Sequence, residues 1–110
     1  PYTACGHCTA CRAGRLCRFN QTLGVQRDGA CAEFLSVPAD TVLPAPGLPV
    51  EALALVEPLS VGFHAVERGR VAAGETVVVL GAGMIGLGAI AGAAQLGARV
   101  VAVDVAEPKL

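Results

Sequence analysis

The chain has 110 residues, enough for one small domain at most. Hydrophobic residues make up 54% and aromatics only 4%, which excludes disorder and suits close backbone packing in an α/β layer fold better than an aromatic-rich sandwich. A net charge of −1 gives the whole chain no electrostatic hold on nucleic acid, and no unbroken apolar run reaches the ~18 residues of a membrane span, so neither partner is expected.

The sole methionine is Met84 and a cysteine cluster starts at Cys5; the chain is therefore expected to be a piece of a longer protein. Residues 1–20 are rich in Cys, Gly and Arg without apolar periodicity and predict a compact, loop-like lobe. Short β segments are expected at Leu23–Gln26 and Cys31–Val37, with Arg27-Asp28-Gly29 as the turn between them. Prolines 38, 44, 46 and 49 then punctuate a surface path, with Thr41–Leu43 as a candidate strand. A short helix is expected at 50–55, with Pro49 where a first-turn proline is tolerated. Pro58 interrupts it and pushes Glu57 towards an extended conformation; a helical pattern resumes over Leu59–Arg68.

From Thr76 the pattern sharpens. Thr76–Leu80 is continuously apolar and β-branched, as for a strand buried on both faces. Gly81–Gly83 reads as a tight turn, Met84–Leu96 as a helix of small apolar residues, and Gly97 as its C′ residue. Arg99–Val103 reads as a second apolar strand, completing a βαβ unit whose crossover should be right-handed.

Five cysteines are an odd number, and four of them follow C-x2-C-x2-C-x5-C as Cys5, Cys8, Cys11 and Cys17. That pattern suits a metal site in a reducing compartment rather than a disulfide framework. Zn²⁺ prefers four tetrahedral ligands, and an all-cysteine set leaves no open position, so the site would be structural. Gly6 and Gly14 supply the permissive backbone such a curl requires. Ligand type alone leaves an iron–sulfur centre open. His7 reads as a solvent-facing spacer, because four thiolates already complete the site. Cys31 reads as a small buried hydrophobe on a strand.

Gly81-Ala82-Gly83-Met84-Ile85-Gly86 is G-x-G-x-x-G, a weak pattern alone but here lying between a buried strand and a helix. Gly81 would allow the tight turn, Gly83 the approach of a pyrophosphate, and Gly86 close packing of helix on strand. The phosphates would meet the N–H groups of Met84 and Ile85 at the positive end of the helix. Asp104 ends the second strand, where a carboxylate accepts hydrogen bonds from the adenosine ribose and repels a 2′-phosphate. NAD is thus expected over NADP, with Lys109 as a second contact to that ribose. Gly88 and Gly92 are expected to serve close helix–sheet packing.

Together these features resemble the zinc-dependent medium-chain dehydrogenase family, especially its sorbitol, threonine and sugar-acid branches. The resemblance is carried by Cys5-Gly6-His7-Cys8-Thr9-Ala10-Cys11 with Cys17, by Gly29-Ala30-Cys31-Ala32-Glu33-Phe34, by Glu57-Pro58-Leu59-Ser60-Val61-Gly62, and by Gly81–Gly86 with Asp104. It implies part of a GroES-like catalytic domain over 1–60, with a structural zinc lobe at about 1–20, and the first half of a Rossmann domain over 61–110. It implies that the four cysteines hold the structural zinc, and that Glu57 stands near a separate catalytic zinc. The other ligands of that zinc, a Cys and a Gly-His-Glu segment, would lie upstream of Pro1. The implied reaction moves a hydride from a secondary alcohol, polyol or sugar-acid hydroxyl to NAD, in a cytoplasmic homodimer or homotetramer. Five residues separate Cys11 from Cys17, two fewer than is usual in the family, which implies a tighter loop or a weaker site. Competing readings are a zinc-containing reductase or aldehyde dehydrogenase of the same fold, or a zinc-ribbon module using Arg12, Arg15 and Arg18 on nucleic acid.

Overall fold

The computed structural model describes residues 2–110. The chain divides into two compact units, one ending at Pro44 and the other beginning at Ala45.

The first unit is built from loops around one helical turn, α1 (Thr9–Arg12). Its cysteine-bearing part is closed by a bridge between Tyr2 and Thr22 and by the Thr3 N–H, which donates to the Gln21 carbonyl at 3.0 Å. The expected β segments at Leu23–Gln26, Cys31–Val37 and Thr41–Leu43 are not strands. The chain instead turns at Gly24, where φ is 82°, and Leu23 bridges to Arg27, so the turn precedes the Arg27-Asp28-Gly29 site expected for it. Ala39–Thr41 forms a single 3-10 turn. A strand needs a ladder partner, and no described segment pairs with 31–37; Phe34 is 91% exposed there.

The second unit has the order α2 (Val50–Arg68), β1 (Thr76–Leu80), α3 (Met84–Gln95) and β2 (Arg99–Val103). Contrary to expectation, α2 is one continuous helix with Pro58 inside it and Glu57 helical. Proline removes one intrahelical bond and crowds the preceding turn, at a cost of about 3 kcal/mol. That cost is offset by the contacts of the following residues with α3. The Ser60 hydroxyl also donates to the Glu57 carbonyl at 2.7 Å. The boundary expected at 60/61 therefore falls inside a helix.

Strands β1 and β2 pair in parallel, with Thr76 opposite Arg99 and Leu80 opposite Val103. Helix α3 connects them and ends as expected. Gly97 has φ 82°, its N–H donates to Ala94, and the Ala98 N–H donates to Ala93, which satisfies the last carbonyls of the helix. Val77, Val79, Val100 and Ala102 are half-buried, while Val78, Leu80, Val101 and Val103 alternate with them and are exposed. A single crossover helix covers a single face, so among the described residues the strands are covered on one face only.

Helix also packs closely on helix in this unit. Leu59, Gly62, Phe63 and Val66 recur at i, i+3, i+4 and i+7 and lie on one face of α2. A Cβ added at Gly62 would strike the Ile85 carbonyl oxygen and the Ala89 amide nitrogen, and one at Gly88 would lie 2.5 Å from the Leu59 carbonyl oxygen. A Cβ at Gly92 would meet the Phe63 ring at 3.2 Å. Gly88 and Gly92 thus serve contact with α2 rather than with the sheet.

These contacts set opposing effects for Gly62→Ala. Alanine gains about 1 kcal/mol of helix propensity, but its methyl meets rigid backbone, and overpacking costs about 1–3 kcal/mol or more. We expect a net loss of stability, seen as a lower urea midpoint of the intact protein; an unchanged or raised midpoint would contradict the close crossing.

Candidate functional site

The lobe brings Cys5, Cys8, Cys11 and Cys17 together, with all four sulfurs within 4.8 Å of one another. Cys5 and Cys11 Sγ are 4.0 Å apart, and Cys8 and Cys11 Sγ are 3.5 Å apart. A tetrahedral ion with Zn–S of ~2.3 Å needs sulfurs about 3.8 Å apart, so the set fits such an ion with little movement. The short Cys11–Cys17 spacing does not keep Cys17 out of the cluster; it is the buried member. Gly6 and Gly14 take φ of 74° and 63°, the left-handed backbone expected of them.

Backbone amides face the sulfurs. The Cys5 and Phe19 N–H groups donate to Cys17 Sγ at 3.4 and 3.3 Å. The Cys8 N–H donates to Cys5 Sγ and the Cys11 N–H to Cys8 Sγ, each at 3.4 Å. The Cys8 contact also caps α1. Amides of Cys11 and Arg18 hold the Cys8 thiol down to about 6, and those of Cys5 and Phe19 lower Cys17. Cys11 is pushed up to about 12, chiefly because it shares a proton with Cys8. Crowded sulfurs cannot all ionise by themselves; a divalent cation would displace that last proton. His7 is exposed, with Nδ1 2.8 Å from the Cys5 carbonyl oxygen, as its reading as a spacer requires. Cys31 is exposed rather than buried, because the strand expected to carry it does not form.

In the second unit the glycine-rich turn joins β1 to α3. Gly81 has φ 98°, open to glycine and little else, and the chain reverses there. A Cβ on Gly86 would overlap the Gly81 carbonyl oxygen, whereas one on Gly83 would meet nothing within 4 Å. Gly86 is thus a packing glycine, and Gly83 faces open space. Gly83 is the N-cap of α3 and brings no capping side chain, which leaves amides at the helix start free for an anion. An open hollow of about 510 Å³ lies here, lined by Gly81, Gly83, Met84, Ile85 and Gly86 among others.

Asp104 borders a neighbouring hollow together with Leu80, Gly81, Val103 and Val105. One carboxylate oxygen, Oδ2, accepts the Ala82 N–H at 2.7 Å, and Oδ1 accepts the Ala106 N–H at 2.9 Å. Lys109 Nζ lies 3.8 Å from Oδ2, and the Asp104 side chain is only 6% exposed. The Ala106 and Ala82 amides, helped by Lys109, hold this carboxyl below the usual aspartate range. Gly81, Gly83, Met84, Ile85 and Gly86 thus line one hollow, and Asp104, with Lys109 beside it, is tied to the same turn through Ala82. The bond from Ala82 to Asp104 was not legible in the motif, which marks Ala82 only as a variable position.

Glu57 lies on α2 with an exposed side chain, and no polar partner for that side chain is found among the described residues. A larger groove of about 900 Å³ runs along α2 and α3, lined by Leu59, Phe63, His64 and Leu96 among others. It is mainly apolar and lacks the uncapped amides and carboxylate of the glycine-rich turn, so the turn is the better candidate for an anionic ligand. No described helix is long and apolar enough to cross a membrane.

Residues 58–110 match the family model for the alanine dehydrogenase/PNT C-terminal domain. The chain is 49% identical over 106 residues to L-galactonate-5-dehydrogenase of Escherichia coli strain K12, covering 94% of this chain and 31% of that protein. It is 39% identical to sorbitol dehydrogenase of Bacillus subtilis strain 168, covering 98% of this chain and 32% of the relative. The crystal structure of galactitol-1-phosphate dehydrogenase from Escherichia coli superimposes with a TM-score of 0.85 at 35% identity, over 100% of this chain and 33% of that one. Along its whole length, then, the relatives and structural neighbours of this chain are zinc-type alcohol and polyol dehydrogenases. The chain spans about one third of the length of the curated relatives it matches.

Metal content tests the sulfur cluster. The intact protein carrying Cys17→Ser should retain less zinc after dialysis by elemental analysis and unfold at lower temperature, since structural zinc supports folding by about 10–16 kcal/mol in small peptides. Equal zinc in wild type and variant would remove Cys17 from the ligand set.

Proposed function

We propose that this chain, homologous throughout to zinc-type alcohol and polyol dehydrogenases, is the structural-zinc lobe and first dinucleotide-binding unit of an NAD-dependent oxidoreductase. The observation that carries the reading is the meeting of the Asp104 carboxylate with the Gly81–Gly86 turn at the uncapped start of α3. In this reading residues 1–60 are part of a GroES-like catalytic domain and 61–110 begin a Rossmann domain. Cys5, Cys8, Cys11 and Cys17 hold a structural zinc.

The substrate class is a secondary alcohol, polyol or sugar-acid hydroxyl, in keeping with the sugar-acid and polyol names of the relatives. When bound, a catalytic zinc would polarise the substrate hydroxyl and the nicotinamide would accept a hydride. This chain's own residues do narrower work. Gly83 leaves space for the pyrophosphate, and the Met84 and Ile85 amides face its charge. Asp104 accepts the ribose hydroxyls, with Lys109 beside it. Glu57 stands near the catalytic metal and helps hold it. Thiols free of disulfides suit a reducing compartment, here the cytoplasm, and the working form is a homo-oligomer, a dimer or tetramer.

The cofactor assignment is tested with Asp104→Ala in the intact enzyme. Losing hydrogen bonds to a charged group should weaken NAD binding by about 10- to 100-fold, while relief of repulsion raises the NADP/NAD ratio of kcat/KM. If that ratio does not move, Asp104 is not the ribose ligand.

A further inference from the structure

The parallel ladder of β1 and β2 ends in an unusual way. Leu80 is opposite Val103, and the Gly81 N–H donates to the Val103 carbonyl at 2.7 Å. Beyond that point the chain reverses at Gly81, and the Ala82 N–H has no backbone acceptor among the described residues. The Ala82 N–H is taken by the side chain of Asp104 at 2.7 Å. Ala82 is 5% exposed, so water is a poor substitute for that acceptor. The carboxylate is itself immobilised, because its other oxygen accepts the Ala106 N–H at 2.9 Å.

We propose that Asp104 is a positioning residue for the phosphate-facing turn: its carboxylate serves as the last rung of the sheet and holds Ala82, and with it Gly83 and the start of α3, in place before any nucleotide arrives. This inference rests on the dinucleotide reading above and adds to it. An ionised carboxylate has about four lone-pair sites. The two amides occupy two, so capacity remains for a ribose hydroxyl. One side chain then touches both ends of an adenosine diphosphate group, directly at the ribose and through Ala82 at the phosphates. Affinity for the two ends should not be additive.

Two measurements on the intact protein test this. In the nucleotide-free state, amide hydrogen exchange at Ala82 should rise by about 10-fold or more in Asp104→Ala, the factor for one lost hydrogen bond of ordinary strength, while the amides of Val78 and Val101 keep wild-type rates. Asp104→Asn preserves shape but offers one accepting oxygen for two amides, so exchange should rise at Ala82 or Ala106; this variant serves if the alanine variant fails to fold. Calorimetry with ADP and with 2′,3′-dideoxy-ADP supplies the second arm. The dideoxy analogue has no ribose hydroxyls, yet Asp104→Ala should still bind it about 5- to 10-fold more weakly than wild type does. Equal affinity of variant and wild type for the dideoxy analogue, or unchanged exchange at Ala82 and Ala106, overturns the proposal. If wild type binds neither nucleotide, the dinucleotide reading fails, and exchange at Ala82 alone decides whether the rung exists.

Discussion

The missing side chain at Gly86 sets the geometry of the second unit. Any Cβ there would overlap the Gly81 carbonyl oxygen, so α3 can begin directly against the end of β1 only because that position is glycine. This short distance brings the free amides of the helix start beside the point where the β1–β2 ladder ends. Asp104, at the end of β2, is thereby within reach of Ala82. The same economy repeats one layer out, where Gly62 and Gly88 let α2 lie backbone to backbone on α3. Dispersion contacts weaken steeply with distance, so small residues at the crossing give a tight fit despite the scarcity of large buried side chains.

The first unit obeys a different constraint. Its buried hydrophobics among the described residues are Ala10 and Cys17, far too little apolar area to offset the conformational entropy of some forty residues. Backbone order in the lobe is tied instead to the N–H bonds directed at the sulfurs of Cys5, Cys8 and Cys17. Those bonds favour thiolates, and the crowding of the sulfurs opposes full ionisation, as the opposite shifts of Cys8 and Cys11 express. The lobe thus gathers four thiols that could hold a cation, in a frame held by backbone hydrogen bonds.

How much of this could be read in advance depended on where local chemistry decides. β1, α3 and β2 were legible to within a residue, because β-branched runs, small helix residues and Gly97 each point to the conformation adopted. The cysteine spacing likewise fixed the members of the cluster, since two-residue gaps around glycines leave the chain few other ways to curl. Reading failed where distant contacts outweigh local preference. Pro58 signals a break, yet Leu59, Gly62 and Phe63 carry the helix through by packing on α3. Residues 31–37 have strand composition but no partner to pair with, so Cys31 and Phe34 stand in solvent. The role of Gly88 and Gly92 was assigned to the wrong neighbour for the same reason: periodicity shows that a face is small, and only the fold shows what it meets.

Asp104 poses an electrostatic question for the proposed function, since a carboxylate stands beside a turn meant to receive a pyrophosphate. Much of its charge is already engaged. Two amides donate to it and Lys109 lies 3.8 Å away, so the field it projects towards the turn is reduced before a ligand approaches. The dipole of α3 acts on the opposite side of the turn, where its positive end favours the phosphates. Attraction and repulsion are thus separated in space: the diphosphate would lie against the helix start, and only a group attached to the ribose would come up against the carboxylate itself. Under the proposed function, an aspartate so anchored would not swing aside to admit a 2′-phosphate, and the discrimination would lie in the sheet end rather than in a mobile side chain.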